Sequence, residues 1–292
     1  MENLGVPENG RFLGVKRNNE VIKIIKGVYM REAVVKEWYG ITCEAVEGYI
    51  ARFNKIIDEN VDEQKAKEIF SLKPKALIVP HAGWVYSGFT ANFAYRIAAN
   101  SNPKRIAVIG PSHKFAFDGI SVSLEDEYQT PCGNLNMDIQ MSQKLIENFG
   151  VLNLEYVHTE HSTEVQMPFI KHYFPNTKVI ELIYSNYNPS KLSEIINYLL
   201  LNDTLIVISS DLSHYYDLKT ANALDYNCLE AVAEEDISKL SSCEACGKIG
   251  IEAMIISAKE MNLTSFIVDY RTSADVSGDT NQVVGYMSAV FI

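Results

Sequence analysis

The chain has 292 residues, 47% of them hydrophobic, and carries a formal net charge of −11 at pH 7. That is enough apolar mass for a large core, while the acidic balance and the lack of an arginine-rich run exclude a surface that tracks nucleic-acid phosphates. No apolar run nears the ~20 residues of a membrane span, and MENLGVPENGRF has neither the basic nor the apolar region of a secretion signal, so a cytoplasmic protein is expected, with no nucleic-acid or membrane partner.

Residues 1–28 are polar around a short alternating segment and read as an N-terminal extension, a hairpin or a loose arm, ahead of one α/β unit over 29–292. Apolar residues at Ala45, Tyr49, Ile50, Phe53, Ile56 and Ile57 recur at helical spacing, which predicts a helix over 42–57 capped by Thr42. A first buried strand, ALIVP at 76–80, leads into the loop HAGWVYSG, and a helix follows over 90–99. The second strand lies in IAVIGPSH at 106–113, where branched apolar residues run into Gly, Pro and Ser before a histidine. Another strand is expected over 119–124, then a turn-rich TPCGNLNMD and a helix over 138–148. In EHSTEVQMPF, at 160–169, Ser162 or Thr163 caps a helix running to about 174. Strands over 178–184 and 205–209 alternate with helices over 192–201, 221–233 and 247–261, and two last strands, 264–270 and 283–292, flank the polar loop RTSADVSGDTNQ. This alternation predicts a mixed, mainly parallel central sheet with helices on both faces.

Three of these strands end by presenting an imidazole: His81, His113 and His214. In an open parallel sheet, ligands bind outside the carboxyl ends of the strands, so the three termini are expected to share one crevice and, imidazole being the commonest metal ligand, one metal ion. Cys246, at the start of the 247–261 helix, is the fourth donor, its thiolate favoured there by unpaired amides. The five cysteines are odd in number and irregularly spaced, which predicts reduced thiols: Cys43, Cys132 and Cys228 are structural, and Cys243 is incidental to Cys246. Asp211 and His214, three apart in SSDLSH, make one acid/base pair and His161 with Glu164 a second. Asp275, Ser277 and Asp279 read as a turn.

Six segments in this order, VPHAGWVYSG, IGPSHK, EHSTEVQMPF, SSDLSHY, ACGKIGI and TSADVSGD with VVGYMS, resemble the MEMO family, whose fold is similar to class III extradiol dioxygenases. The resemblance implies a metal-capable pocket in which His81, His113 and Cys246 match ligand positions, with Asp211 and His214 beside them. It also places Cys246 where the related dioxygenases carry a carboxylate, a softer donor that suits iron or copper, with zinc as the other possibility. Three functions follow as expectations. One is a metal-dependent redox enzyme, the second a zinc-type hydrolase, and the third a binding or adaptor protein holding a small molecule or peptide between Trp84 and Tyr86. No GxGxxG, GxxxxGK[ST] or GxSxG follows a strand, which sets nucleotide enzymes and elbow-type serine hydrolases aside.

Overall fold

Thr42 caps the first long helix as expected, its Oγ1 accepting from Ala45 N at 3.3 Å. The chain here is a computed structural model that describes residues 28–292, so the expected extension lies outside the described residues but for its last one. In chain order the elements are β1 (Met30–Arg31), α1 (Cys43–Asn60), α2 (Glu63–Ile69), β2 (Ala76–Val79), α3 (Trp84–Ala98), β3 (Arg105–Pro111), β4 (Ile120–Val122), β5 (Glu127–Tyr128) and β6 (Leu135–Asn136). Then come α4 (Ile139–Phe149), α5 (His161–Glu164), α6 (Met167–Tyr173), β7 (Lys178–Tyr184), α7 (Pro189–Leu201), β8 (Thr204–Ser209) and β9 (His214–Tyr216). The chain closes with α8 (Leu218–Ala233), α9 (Lys248–Met261), β10 (Ser265–Thr272), α10 (Ala274–Ser277) and β11 (Val283–Phe291).

The main sheet has the order β10-β11-β2-β8-β3-β7-β4, with β9 pairing on β11. Its centre, β2, β8, β3 and β7, is parallel, while β11 on β2, β10 on β11 and β4 on β7 are antiparallel. Side chains alternate across it. Ala76, Ile78, Ala107, Ile109, Ile206 and Ile208 join one apolar layer with α7, α8 and α9, and Leu77, Val79, Ile106, Val108, Leu205 and Val207 join the other with α1, α3 and α6. Strands covered on both faces need apolar residues at every position, which explains their unbroken hydrophobic runs. A small second sheet, β1-β5-β6, holds the start of the described chain.

Several expectations need correction. The stretch HAGWVYSG is not all loop, because α3 begins at Trp84, whose ring is fully buried and stacked on Phe169 at 3.9 Å. Trp84 therefore belongs to the core and is not a pocket wall. Neither Ser162 nor Thr163 caps the helix after 160; Glu160 does, accepting from His161 N and Ser162 N. Nor are the cysteines reduced, since Cys43 pairs with Cys132 and Cys228 with Cys243, leaving Cys246 free. Odd number and irregular spacing carry no information about which thiols a fold of this size brings within bonding reach. The loop at 275–279 is a short helical turn closed by Gly278 at φ 73, with Asp275 Oδ2 accepting from Thr272 N at 2.7 Å.

Candidate metal centre

Strands β2, β8 and β3 lie side by side and parallel, so the segments leaving their carboxyl ends meet at one edge. His81 follows β2, His113 follows β3, and α5 brings His161 beside them. The ring centroids are 5.2 Å apart for His81 and His113, 5.6 Å for His81 and His161, and 4.5 Å for His113 and His161. One ring nitrogen of each lies within 4.8 Å of the others. Two glycines make the approach possible: a Cβ on Gly110 would stand 2.6 Å from Ser162 Oγ, and one on Gly247 would stand 2.5 Å from Ser210 Cβ.

Each imidazole is held through Nδ1. Glu160, a buried carboxylate, lies 2.7 Å from His161 Nδ1 and 3.2 Å from His113 Nδ1 through Oε1, and its Oε2 accepts from His113 N at 2.7 Å. A carboxylate only accepts, so both rings present Nδ1–H to it, and Nε2 is the ring nitrogen left for a metal. For His81 the same result follows from Ser209. Its hydroxyl donates to Ser162 O at 2.5 Å and accepts from Gln166 Nε2 at 3.0 Å, so its remaining lone pair takes the proton of His81 Nδ1 at 3.0 Å. Three imidazoles with anchored Nδ1–H groups form a donor set that fits a metal ion.

Burial pushes His81 down to about 4, against the opposing pull of Asp211. Burial alone would raise Glu160, but hydrogen bonds from His113 and His161 hold it well below the usual carboxylate range. Cys246 Sγ stands 3.3 Å from His81 Nε2. Burial, reinforced by the negative charge of Asp211, pushes this thiol up to about 12, so desolvation overrides the helix-start effect expected from the sequence. The protonated thiol therefore has Asp211 O, at 3.6 Å, and His81 Nε2 as acceptors within reach, and a bound cation would replace that proton.

Asp211 Oδ1 accepts from His81 N at 2.7 Å and Ala82 N at 3.3 Å, which leaves its Oδ2 3.9 Å from His81 Nε2. The structure thus sets Asp211 against His81. His214 instead donates Nδ1–H to Leu212 O at 2.8 Å, and it makes no ring contact with the three clustered histidines among the described residues. The expected pairing of His161 with Glu164 does not occur. Glu164 faces away, accepting from Val34 N, Val35 N and Tyr39 Oη and pairing with Arg31 at 3.3 Å, which straps residues 31–39 onto α5. That strap lays Trp38 on His161 with centroids 4.9 Å apart. The opening is on the side of His113, whose side chain is 31% exposed against 2% for His81. Tyr215, beside His214, takes a left-handed φ of 65° and is exposed.

Sequence reasoning missed Glu160, Ser209, Gln166 and Trp38. For Glu160 a signal was present, a carboxylate next to a histidine at a helix start. The other three depend on contacts between distant segments.

Fold and site together define an α/β protein with a triple-imidazole cluster at the carboxyl edge of its parallel strands. A family model described as Memo-like protein matches residues 49–290. Three similar chains are each described as a MEMO1 family protein. One from Aquifex aeolicus is 33% identical, covering 76% of this chain and 87% of its own length; one from Methanobrevibacter smithii is 33% identical, covering 75% and 83%. The third, from Nitrosopumilus maritimus, is 30% identical and covers 74% and 84%. The chain belongs to the Memo-like family. Among solved structures, an uncharacterized protein from Escherichia coli K12 shares the fold, with a TM-score of 0.50 at 11% identity, covering 75% of this chain and all of that one.

Proposed function

We propose that this protein is a metal-dependent oxidoreductase on a dioxygenase-like scaffold, with His81, His113 and His161 holding iron or copper and Cys246 as a soft donor beside them. One observation carries the reading: three clustered imidazoles, each engaged at Nδ1, with a thiol 3.3 Å from Nε2 of His81. When bound, such an ion supplies Lewis acidity and one-electron chemistry. The chain supplies the rest. Glu160 and Ser209 orient the rings, Asp211 sets negative charge beside His81, and His214, held through Nδ1 by Leu212 O, is the acid/base group. The open side at His113 admits a small molecule or peptide, with exposed Trp38 beside it.

Zinc is the second reading, because imidazoles clustered around one point also suit a hydrolytic centre. Protein purified anaerobically without chelators or affinity metal separates the two. Bound iron or copper, lost in His81→Ala and His161→Ala, supports the oxidoreductase. Bound zinc together with amide or ester cleavage lost in His113→Ala supports the hydrolase. A sample that stays metal-free and inert after addition of Fe(II), Cu(I) and Zn(II) overturns both.

A further inference from the structure

A second group of ligand-type side chains lies where α1, the turn before β6 and α6 meet, and it shares no residue with the imidazole cluster. Cys43 and Glu47 stand one helical turn apart at the start of α1, and Cys132 comes from the TPCGN turn. One ligand atom from each lies within 4.8 Å of the others, and Cys132 Sγ is 3.9 Å from Glu47 Oε1. Tetrahedral donors around a zinc-type ion are about 3.3–3.8 Å apart, given bonds of roughly 2.0–2.3 Å. His172 on α6 sits behind the carboxylate, its Nδ1 2.8 Å from Glu47 Oε2 and 2.9 Å from Oε1, as an orienting partner does for a metal-binding carboxylate. Beside a disulfide that carboxylate gains nothing; beside a cation it gains a counter-charge. All four side chains are partly exposed, so a reductant and an ion both have access.

We propose that Cys43, Cys132 and Glu47 form a redox-gated site for a zinc-type divalent cation, closed as a disulfide and opened by reduction. A dithiol reductant delivers two electrons and two protons. The Cys43–Cys132 bond breaks to two thiols, the reductant leaves as its own disulfide, and cation binding then releases both protons as the sulfurs become thiolates. The fourth position is filled by water, and His172 holds Glu47 in place.

The test uses the full chain, oxidised or reduced with a phosphine under argon, titrated with Co(II). Reduced protein is expected to bind one more equivalent than oxidised protein, with thiolate-to-cobalt absorption in the near ultraviolet. Cys132→Ser should lose that equivalent and its absorption, and Glu47→Gln should weaken it at least tenfold. Cys228→Ser, which removes the other disulfide, should keep it. Equal stoichiometry in the two redox states, or an extra equivalent that survives in both Cys132→Ser and Glu47→Gln, overturns the site, whatever metal the imidazole cluster holds.

Discussion

At His81, burial and hydrogen bonding act together: the ring is sealed from water, Ser209 takes its Nδ1 proton, and Nε2 faces the Cys246 thiol. Folding therefore lowers its proton affinity, from an ordinary value of about 6.5 to about 4. A base with a lowered folded pKa binds fewer protons when native, so its contribution is intact above about 6.5 and is lost as pH falls toward 4. At about 1.4 kcal/mol per unit that is about 3 kcal/mol. Denaturant titration of chelator-treated protein between pH 7 and 4 should show this decline, and His81→Gln should flatten it. Glu160 gives a second prediction at this scale. One carboxylate orients two rings, so Glu160→Gln is expected to cut metal affinity about 10–100-fold, read by chelator competition. Retained affinity would mean that the rings are fixed by packing instead.

Among the elements, the β2–β8–β3 trio decides the site, and its consequences are steric. Gly110, next to last in β3, packs against Ser162, whose hydroxyl donates to Pro111 O at 2.7 Å. A methyl there meets Ser162 Oγ at 2.6 Å and Thr163 Cγ2 at 3.1 Å. Gly110→Ala should cost about 1–3 kcal/mol and shift α5, so both thermal unfolding and metal affinity should fall; an unchanged melting temperature would show that α5 yields freely. The trio itself was legible in the sequence, because parallel strands buried on both faces write themselves as short branched apolar runs, as ALIV and LIVIS do. His81 and His113, just past β2 and β3, were legible for the same reason, whereas His214, expected to join them from β8, makes no ring contact with them and His161 takes its place. What the sequence hid was pairing at a distance. His161 reads beside Glu164 along the chain, yet the helical turn sends Glu164 under the 31–39 strap and leaves Glu160 to meet the ring. Trp84 sits in a glycine-flanked stretch that looks like loop, and only packing on Phe169 reveals a helix start.

For the molecule as a whole, the two cross-links are the feature least visible in the sequence, since nothing local marks Cys43 for Cys132. They close intervals of 89 and 15 residues. Restriction of the unfolded chain makes the longer one worth about 4–5 kcal/mol and the shorter about 3 kcal/mol. Unfolded, unreduced protein should yield one titratable thiol, rising to five on reduction, and Cys43→Ser should lower the unfolding free energy more than Cys228→Ser does. Five thiols without reductant would remove both bridges. No helix among the described residues is long and apolar enough to cross a membrane.

The central strands bear on the centre at their ends in one further way. Ala76–Val79 and Thr204–Ser209 are buried at every position, as is Arg105–Pro111 past its first residue. Amides in such strands exchange with solvent only through openings close to global unfolding. His81 and His113 stand two residues beyond the ends of those strands, so their roots are held by protected backbone, and an ion bound there is expected to exchange by motion of the exposed His113 side rather than by opening of the sheet.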